Sequence, residues 1–282
     1  MRYIYYPWCS QKSSAISYER SFLAVCKVLE IELTELEDWN CCGTTIAISV
    51  NKTVSSFLAA RNMGLANQYK LPVVTPCPSC YVSLRRMLKE CKENKTQFNQ
   101  VNELLAEEHL AFSTDAEVYH ALEFLVNVIG LDTIANKVCN PLKGFRIAPY
   151  YGCQLVSPYA NGSKSHDPRQ LEQLIEVLGA HPVNFPFRTL CCGGSLMLTL
   201  KEQAKRLSSI ILGSIQKTDA NLIVTPCGLC QLNLELALKR SLPVINIGQM
   251  LGLALGLDPR SLYMNKLRIP EKQGINLNIN QG

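Results

Sequence analysis

Short apolar runs ending in turn residues recur at residues 3–7, 73–76, 147–151 and 222–226, and each is followed within two residues by a cysteine. Runs of this length, rich in Val, Ile and Tyr, read as buried strands of a parallel sheet. The alternating residues 31–36, before Cys41, and the segment 182–187, before Cys191, add a strand to each half. Between them, apolar positions recur at helical spacing over residues 14–29, 54–69, 81–93, 170–178, 198–216 and 231–240. The order strand, helix, strand, helix, strand, helix therefore occurs twice, which predicts an α/β fold of two small, mostly parallel sheets flanked by helices and built with right-handed crossovers. Residues 96–143 interrupt this pattern and are expected to form one or two connecting helices through Leu122, Leu125, Val126 and Ile129. A boundary near Asn140-Pro141 divides the chain into residues 1–140 and 141–282. The Asn-, Gln- and Gly-rich stretch beyond Pro270 is expected to pack poorly unless a partner orders it.

The cysteines repeat with the elements. Cys9, Cys41-Cys42-Gly43 and Cys77-Pro78-Ser79-Cys80 are answered by Cys153, Cys191-Cys192-Gly193 and Cys227-Gly228-Leu229-Cys230. Cys41, Cys42, Cys77 and Cys80 map onto their counterparts at one offset of 150 residues, while Cys9 and Cys153 are 144 apart. Residues 73–77 (VVTPC) and 223–227 (IVTPC) repeat as well, so the two halves are an internal duplication. Ligands of open α/β sheets gather beyond the carboxyl ends of the strands, and every one of these cysteines follows a strand. Three remote segments are thus expected to converge on one site in each half.

Composition narrows the class of protein. The 282 residues, 47% hydrophobic and 18% charged, suit two ordinary globular domains, and a net charge of +5 with no basic run leaves no nucleic-acid footprint. The N-terminus goes from Met1 to Pro7 without a signal-peptide apolar core, and no stretch approaches the roughly 20 apolar residues of a membrane span. The expected location is therefore cytoplasmic. In a reducing compartment thirteen cysteines argue for metal or redox chemistry and against a disulfide framework.

Thiolates are soft ligands that select zinc, copper(I) and iron–sulfur centres. A structural zinc site closes with four ligands, so zinc leaves one cysteine of each five unused; a polynuclear iron centre has room for five. Adjacent cysteines such as Cys41 and Cys42 reach two irons more readily than one small ion. The glycines after each pair, Gly43 and Gly193, allow positive φ and close approach of the backbone. Zinc in one or both halves, and a thioredoxin-type dithiol at Cys77 and Cys80, remain the alternatives.

The repeated pattern, with residues 148–154 and 191–195, resembles the cysteine-rich CCG domain, and two complete copies resemble the B subunit of heterodisulfide reductase and its relatives. The resemblance implies two tandem pseudo-symmetric CCG domains. It also implies two noncubane [4Fe–4S] clusters, one held by Cys9, Cys41, Cys42, Cys77 and Cys80 and the other by Cys153, Cys191, Cys192, Cys227 and Cys230. One cluster and one zinc is the alternative occupancy. The implied activity is disulfide reduction or thiol oxidation at the two clusters. It would run within a heterodisulfide reductase-type complex whose other members are a flavoprotein and a ferredoxin-like iron–sulfur subunit. CCG domains also occur in electron-transfer or anchoring subunits of succinate, fumarate, lactate or glycolate oxidoreductases, which is the second functional expectation. Thr44-Thr45 after Gly43 departs from the small residues usual there, without removing a ligand.

The remaining candidates carry less. Cys26, Cys91 and Cys139 fall outside the repeat and are expected to behave as small apolar residues. His109, His120 and His181 are assigned to packing or surface, and Tyr5-Tyr6 and Tyr150-Tyr151 to strand core. His166, in the polar loop 161–167, is the candidate proton donor to a departing thiolate. Lys164 and Arg169 are candidates to receive an anionic substrate group.

Overall fold

Residues 1–9, 15–160, 168–237 and 242–264 are described in a computed structural model. The first half contains β1 (Arg2–Tyr5), β2 (Glu32–Glu35), β3 (Val73–Thr75) and β4 (Val118–His120), in the order β2-β1-β3-β4 with every pairing parallel. The second contains β5 (Arg146–Pro149), β6 (His181–Pro182), β7 (Leu222–Thr225) and β8 (Val244–Asn246), in the matching order β6-β5-β7-β8 and again all parallel. The first sheet is joined by α1 (Ile16–Val28), α2 (Ile46–Val50), α3 (Lys52–Asn67), α4 (Pro78–Glu93) and α5 (Lys95–Ala106). After β4 come α6 (Ala121–Glu123), a π-helical turn (Phe124–Gly130) and α7 (Leu131–Ala135). The second half adds α8 (Gln170–Val177), α9 (Lys201–Ile215), α10 (Gly228–Ala237) and α11 (Ile247–Ala254).

Local chemistry explains several boundaries. Asn51 and Asn94 accept backbone N–H groups at the starts of α3 and α5, and Pro78 opens α4 where no N–H partner is needed. The central strands β3 and β7 are buried throughout, as their unbroken apolar character requires. The strand expected over residues 182–187 is only His181–Pro182, an edge element, because Pro182 has no N–H to continue a ladder.

Residues 96–143 do not simply connect the halves. They return through β4 to complete the first sheet, and β8 completes the second in the same way. Both are three-residue strands, too short to show a period.

The two halves interlock about a pseudo-twofold relation. The helix after the first strand of each half packs on the helix after the fourth strand of the other: α1 on α11, and α8 on α6 and α7. Gly248 in α11 permits the first contact, since a Cβ there would lie 2.8 Å from the Phe22 backbone nitrogen. One apolar core runs through both halves, from Tyr5, Phe22 and Leu84 to Leu174, Val224 and Met250. A smaller core lies between β5, β7, α9 and α10.

Candidate functional site

Cys9, Cys41-Cys42 and Cys77 follow β1, β2 and β3, which are neighbours in the first sheet, so residues far apart in sequence meet at one sheet edge. Cys153, Cys191-Cys192 and Cys227 repeat this after β5, β6 and β7. Cys77 caps α4 and Cys80 lies in its first turn. The sequence-derived sets therefore do come together, five in each half.

Within each set the thiols lie close enough to shift one another's ionisation. In the first this influence passes from Cys9 to Cys41, Cys42, Cys80 and Cys77. In the second, Cys153 meets Cys191, while Cys192 lies 3.4 Å from Cys230, which in turn meets Cys227. Backbone amides support the sulfurs: Gly193 N donates to Cys191 Sγ at 3.4 Å, Gly194 N to Cys192 Sγ at 3.2 Å and Cys230 N to Cys227 Sγ at 3.4 Å. A hydrogen bond from Cys153, assisted by the Gly193 amide, holds the Cys191 thiol down at about 6. Cys77 and Cys192 are lowered likewise, by Cys80 and Cys230 first. Their donor partners Cys153 and Cys230 are raised.

The supporting residues also repeat. Tyr6 Oη donates to the Asn40 carbonyl at 2.7 Å and Tyr150 Oη to the Leu190 carbonyl at 2.6 Å, each the residue just before a cysteine pair. These tyrosines are core, as expected, and also tether the loops. Ser83 Oγ donates to the Cys42 carbonyl at 2.7 Å, and Asn233 Nδ2, its counterpart, to the Cys192 carbonyl at 2.6 Å. Gly43 and Gly193 have φ of +75° and +82°, and a Cβ on either would lie 2.7 Å from helix backbone, at Ser55 O in α3 and Ala204 Cα in α9. The glycines thus admit a helix, which is a more local reason than the approach to an inorganic core inferred from sequence.

His120 lies beside both sites. Its Nδ1 accepts from Leu122 N at 3.1 Å, so the proton is on Nε2, which donates to the Pro76 carbonyl at 3.1 Å; the Pro226 carbonyl is near enough to favour the protonated ring. Tyr18 Oη donates to the same Pro226 carbonyl at 3.2 Å. Pro76 and Pro226 directly precede Cys77 and Cys227, so the imidazole holds the first cysteine loop close beside the second, which Tyr18 holds.

Between the halves is a cavity of about 350 Å³. All five thiols of the second set line it, facing Thr44, Thr45, Pro78, Ser79, Val82, Ser83 and Arg86 of the first half. Thr45 holds φ at +64°, uncommon for a β-branched residue, where the loop turns into α2. The first-set thiols Cys9 and Cys41 are exposed. Arg86 escaped the sequence reading, because the repeat points to residues that the halves share and this position differs between them, while Thr45 stood out only as a departure from the small residues usual after Gly43. His166 and Lys164 lie outside the described residues, as does the tail beyond Pro270. Arg169 stands at the start of α8, outside the described cavity lining. Cys26 and Cys91 are buried in the core, with burial pushing the Cys91 thiol up to about 11.

Among the described residues no three His, Cys, Asp or Glu side chains close around a point for a single metal ion. Five neighbouring thiols in each set, amide donors and no carboxylate or imidazole among them suit a soft polynuclear group better than one tetrahedral ion. No helix among the described residues is long and apolar enough to cross a membrane.

Two parallel sheets, each with five thiols at its carboxyl edge, define a duplicated cysteine-rich α/β protein. The family model of the CCG cysteine-rich domain matches residues 3–85 and 147–235, and the chain belongs to that family. It is 31% identical over 274 residues to the 8-methylmenaquinol:fumarate reductase membrane anchor subunit of Wolinella succinogenes, covering 93% of this chain and 95% of that one. It is 29% identical over 248 residues to the B subunit of the ferredoxin:CoB-CoM heterodisulfide reductase of Methanosarcina mazei, covering 83% and 82%. A protein of Archaeoglobus profundus described as like the heterodisulfide reductase B subunit is 29% identical over 90% of each chain. A crystal structure of a hypothetical protein from Helicobacter pylori shares the fold, with a TM-score of 0.73 at 11% identity; the match covers 94% of this chain and 51% of that one.

Proposed function

We propose that this chain is the iron–sulfur redox subunit of a multisubunit oxidoreductase, and that a small disulfide is reduced, or two thiols are oxidised, in the cavity between its halves. The observation that carries this reading is the lining of that cavity by all five second-set thiols together with the Pro78-Ser79 turn of the first set. Cys9, Cys41, Cys42, Cys77 and Cys80 would hold one iron–sulfur group, and Cys153, Cys191, Cys192, Cys227 and Cys230 the other. When bound, such groups supply one-electron transfer and iron that accepts a thiolate, and two of them match a two-electron disulfide. The chain's own part is to hold anionic sulfur with backbone amides and to shield the cavity with Val82, Tyr151 and Leu229. The exposed Cys9 and Cys41 mark the side where electrons cross to partners, a flavoprotein and a ferredoxin-like iron–sulfur subunit.

The test separates the two sets. Cys192→Ser should remove the second iron–sulfur group and leave the first, and Cys42→Ser the reverse, as read by iron and sulfide content and by EPR. Disulfide turnover with a reduced viologen donor should fall about 100-fold or more in each, the scale of losing a reacting group. Near-normal turnover after verified loss of either group contradicts the reading. A second reading is favoured by the 95% coverage of the fumarate reductase relative: an electron-transfer or anchoring role in a fumarate or succinate oxidoreductase. It prevails if the loaded protein turns over no disulfide but passes electrons to a co-purifying fumarate- or succinate-converting flavoprotein.

A further inference from the structure

We propose that the cavity between the halves is built for an oxyanion-bearing ligand and that Arg86 receives the oxyanion. Resting on the thiol–disulfide reading of that cavity, the substrate class becomes a small thiol or disulfide that carries a carboxylate or similar group.

Arg86 is the sole cationic side chain in the described lining, and it is 8% exposed. A guanidinium stays protonated at any physiological pH, so this is a buried positive charge, which is costly unless paired. Its protein partners are few. One Nη donates to Ser55 Oγ at 2.9 Å, while Nε has no partner. The nearest acid along α4, Glu90, is engaged by Lys52 at 3.0 Å, and among the described residues no carboxylate pairs with Arg86. Ser55 Oγ in turn donates to the Gly43 carbonyl at 2.8 Å, so the guanidinium is braced against the first cysteine loop. A planar fork with an idle donor, fixed among neutral side chains of the first half, matches a carboxylate or related oxyanion.

The second half forms its cysteine loops without this charge. Ser83 and Asn233 occupy equivalent positions and make equivalent bonds to the cysteine loops, whereas the residue 150 positions after Arg86 is Leu236. An arginine required to hold the fold or its iron–sulfur group would be expected in both copies. The charge appears only in the half that faces the second-set thiols across the cavity. A ligand lying between Arg86 and those thiols has its oxyanion held at one end and its sulfur presented at the other, and the volume of about 350 Å³ falls within the roughly 300–1,000 Å³ of small-molecule sites.

The test uses the full-length protein purified anaerobically and three ligands of similar length: 3,3′-dithiodipropionate, the neutral bis(2-hydroxyethyl) disulfide, and suberate, which has the acid's shape without sulfur. Binding is measured by calorimetry, with iron content and disulfide turnover recorded alongside. In the native protein the diacid should bind about tenfold or more tightly than the neutral disulfide, the size of one charge-assisted contact. Arg86→Met should abolish that preference while leaving the neutral disulfide's affinity and the iron content unchanged, and Arg86→Lys should keep part of it. An unchanged preference in Arg86→Met overturns the proposal, as does equal loss of both disulfides together with iron. Should Arg86→Met fail to fold, Arg86→Lys and competition by suberate decide: no competition, or an unaltered preference in the lysine variant, overturns it. Arg86-dependent suberate binding without turnover of either disulfide leaves the oxyanion site standing and removes the thiol–disulfide reading. Turnover of both disulfides with no charge preference does the opposite.

Discussion

His120 has both ring nitrogens committed, one to the start of α6 and the other to the Pro76 carbonyl before Cys77, and it is fully buried. Burial lowers its pKa from 6.5 to about 4, against the smaller opposing pull of the Pro76 and Pro226 carbonyls. The folded protein therefore keeps a neutral imidazole where the unfolded chain would take up a proton. Stability from this group is fully present above pH 6.5 and is lost as pH falls toward 4. Between about pH 7.5 and pH 5 the loss should be on the order of 2 kcal/mol, measured by urea unfolding. Asn246 pairs with Thr225 as His120 pairs with Thr75, and it caps α11 as His120 caps α6. His120→Asn should accordingly fold, with a weaker dependence on pH in that window; an unchanged slope would remove His120 as its source. The sequence placed His120 among packing residues, since nothing local announces that Pro76 and Pro226 converge on it.

At the scale of elements, the contact between α1 and α11 depends on a missing side chain. Gly248→Ala would put a Cβ 2.6 Å from Ser21 Oγ and 2.8 Å from the Phe22 backbone nitrogen. The hydroxyl can turn aside but the backbone must shift, and a cost of about 1–3 kcal/mol is expected from overpacking. Gly213 in α9 is the control: its Cβ position is open, and Gly213→Ala should stabilise by about 0.5–1 kcal/mol through helix propensity. Denaturation midpoints moving in opposite directions would bear out the interface; a neutral Gly248→Ala would show that α1 and α11 can separate freely. Helices such as α1, α3, α4 and α8 were legible because each is long enough to show its period. β4 and β8 were not, and β6 was legible in place but not in extent, because strands of two or three residues are created by pairing with a neighbour and carry almost no period of their own.

For the whole molecule, the continuous core predicts one cooperative unfolding transition, although the sequence divides into two repeats. Circular dichroism should coincide with the fluorescence of Trp8 and Trp39, both in the first half; a fluorescence transition clearly separated from the circular dichroism one would show halves that fold independently. What the sequence determined alone was the duplication, the parallel α/β class and the two groups of five thiols, because a repeated spacing and a strand before each cysteine are local properties written along the chain. Only the tertiary structure decided that neighbouring strands bring each five together, that His120 holds Pro76 and Tyr18 holds Pro226, and that Arg86 faces the second-set thiols across a cavity. These are contacts between segments separated by tens to hundreds of residues. Their formation rests on burying helix faces between the halves, and that complementarity of shape has no signature in any one stretch of sequence.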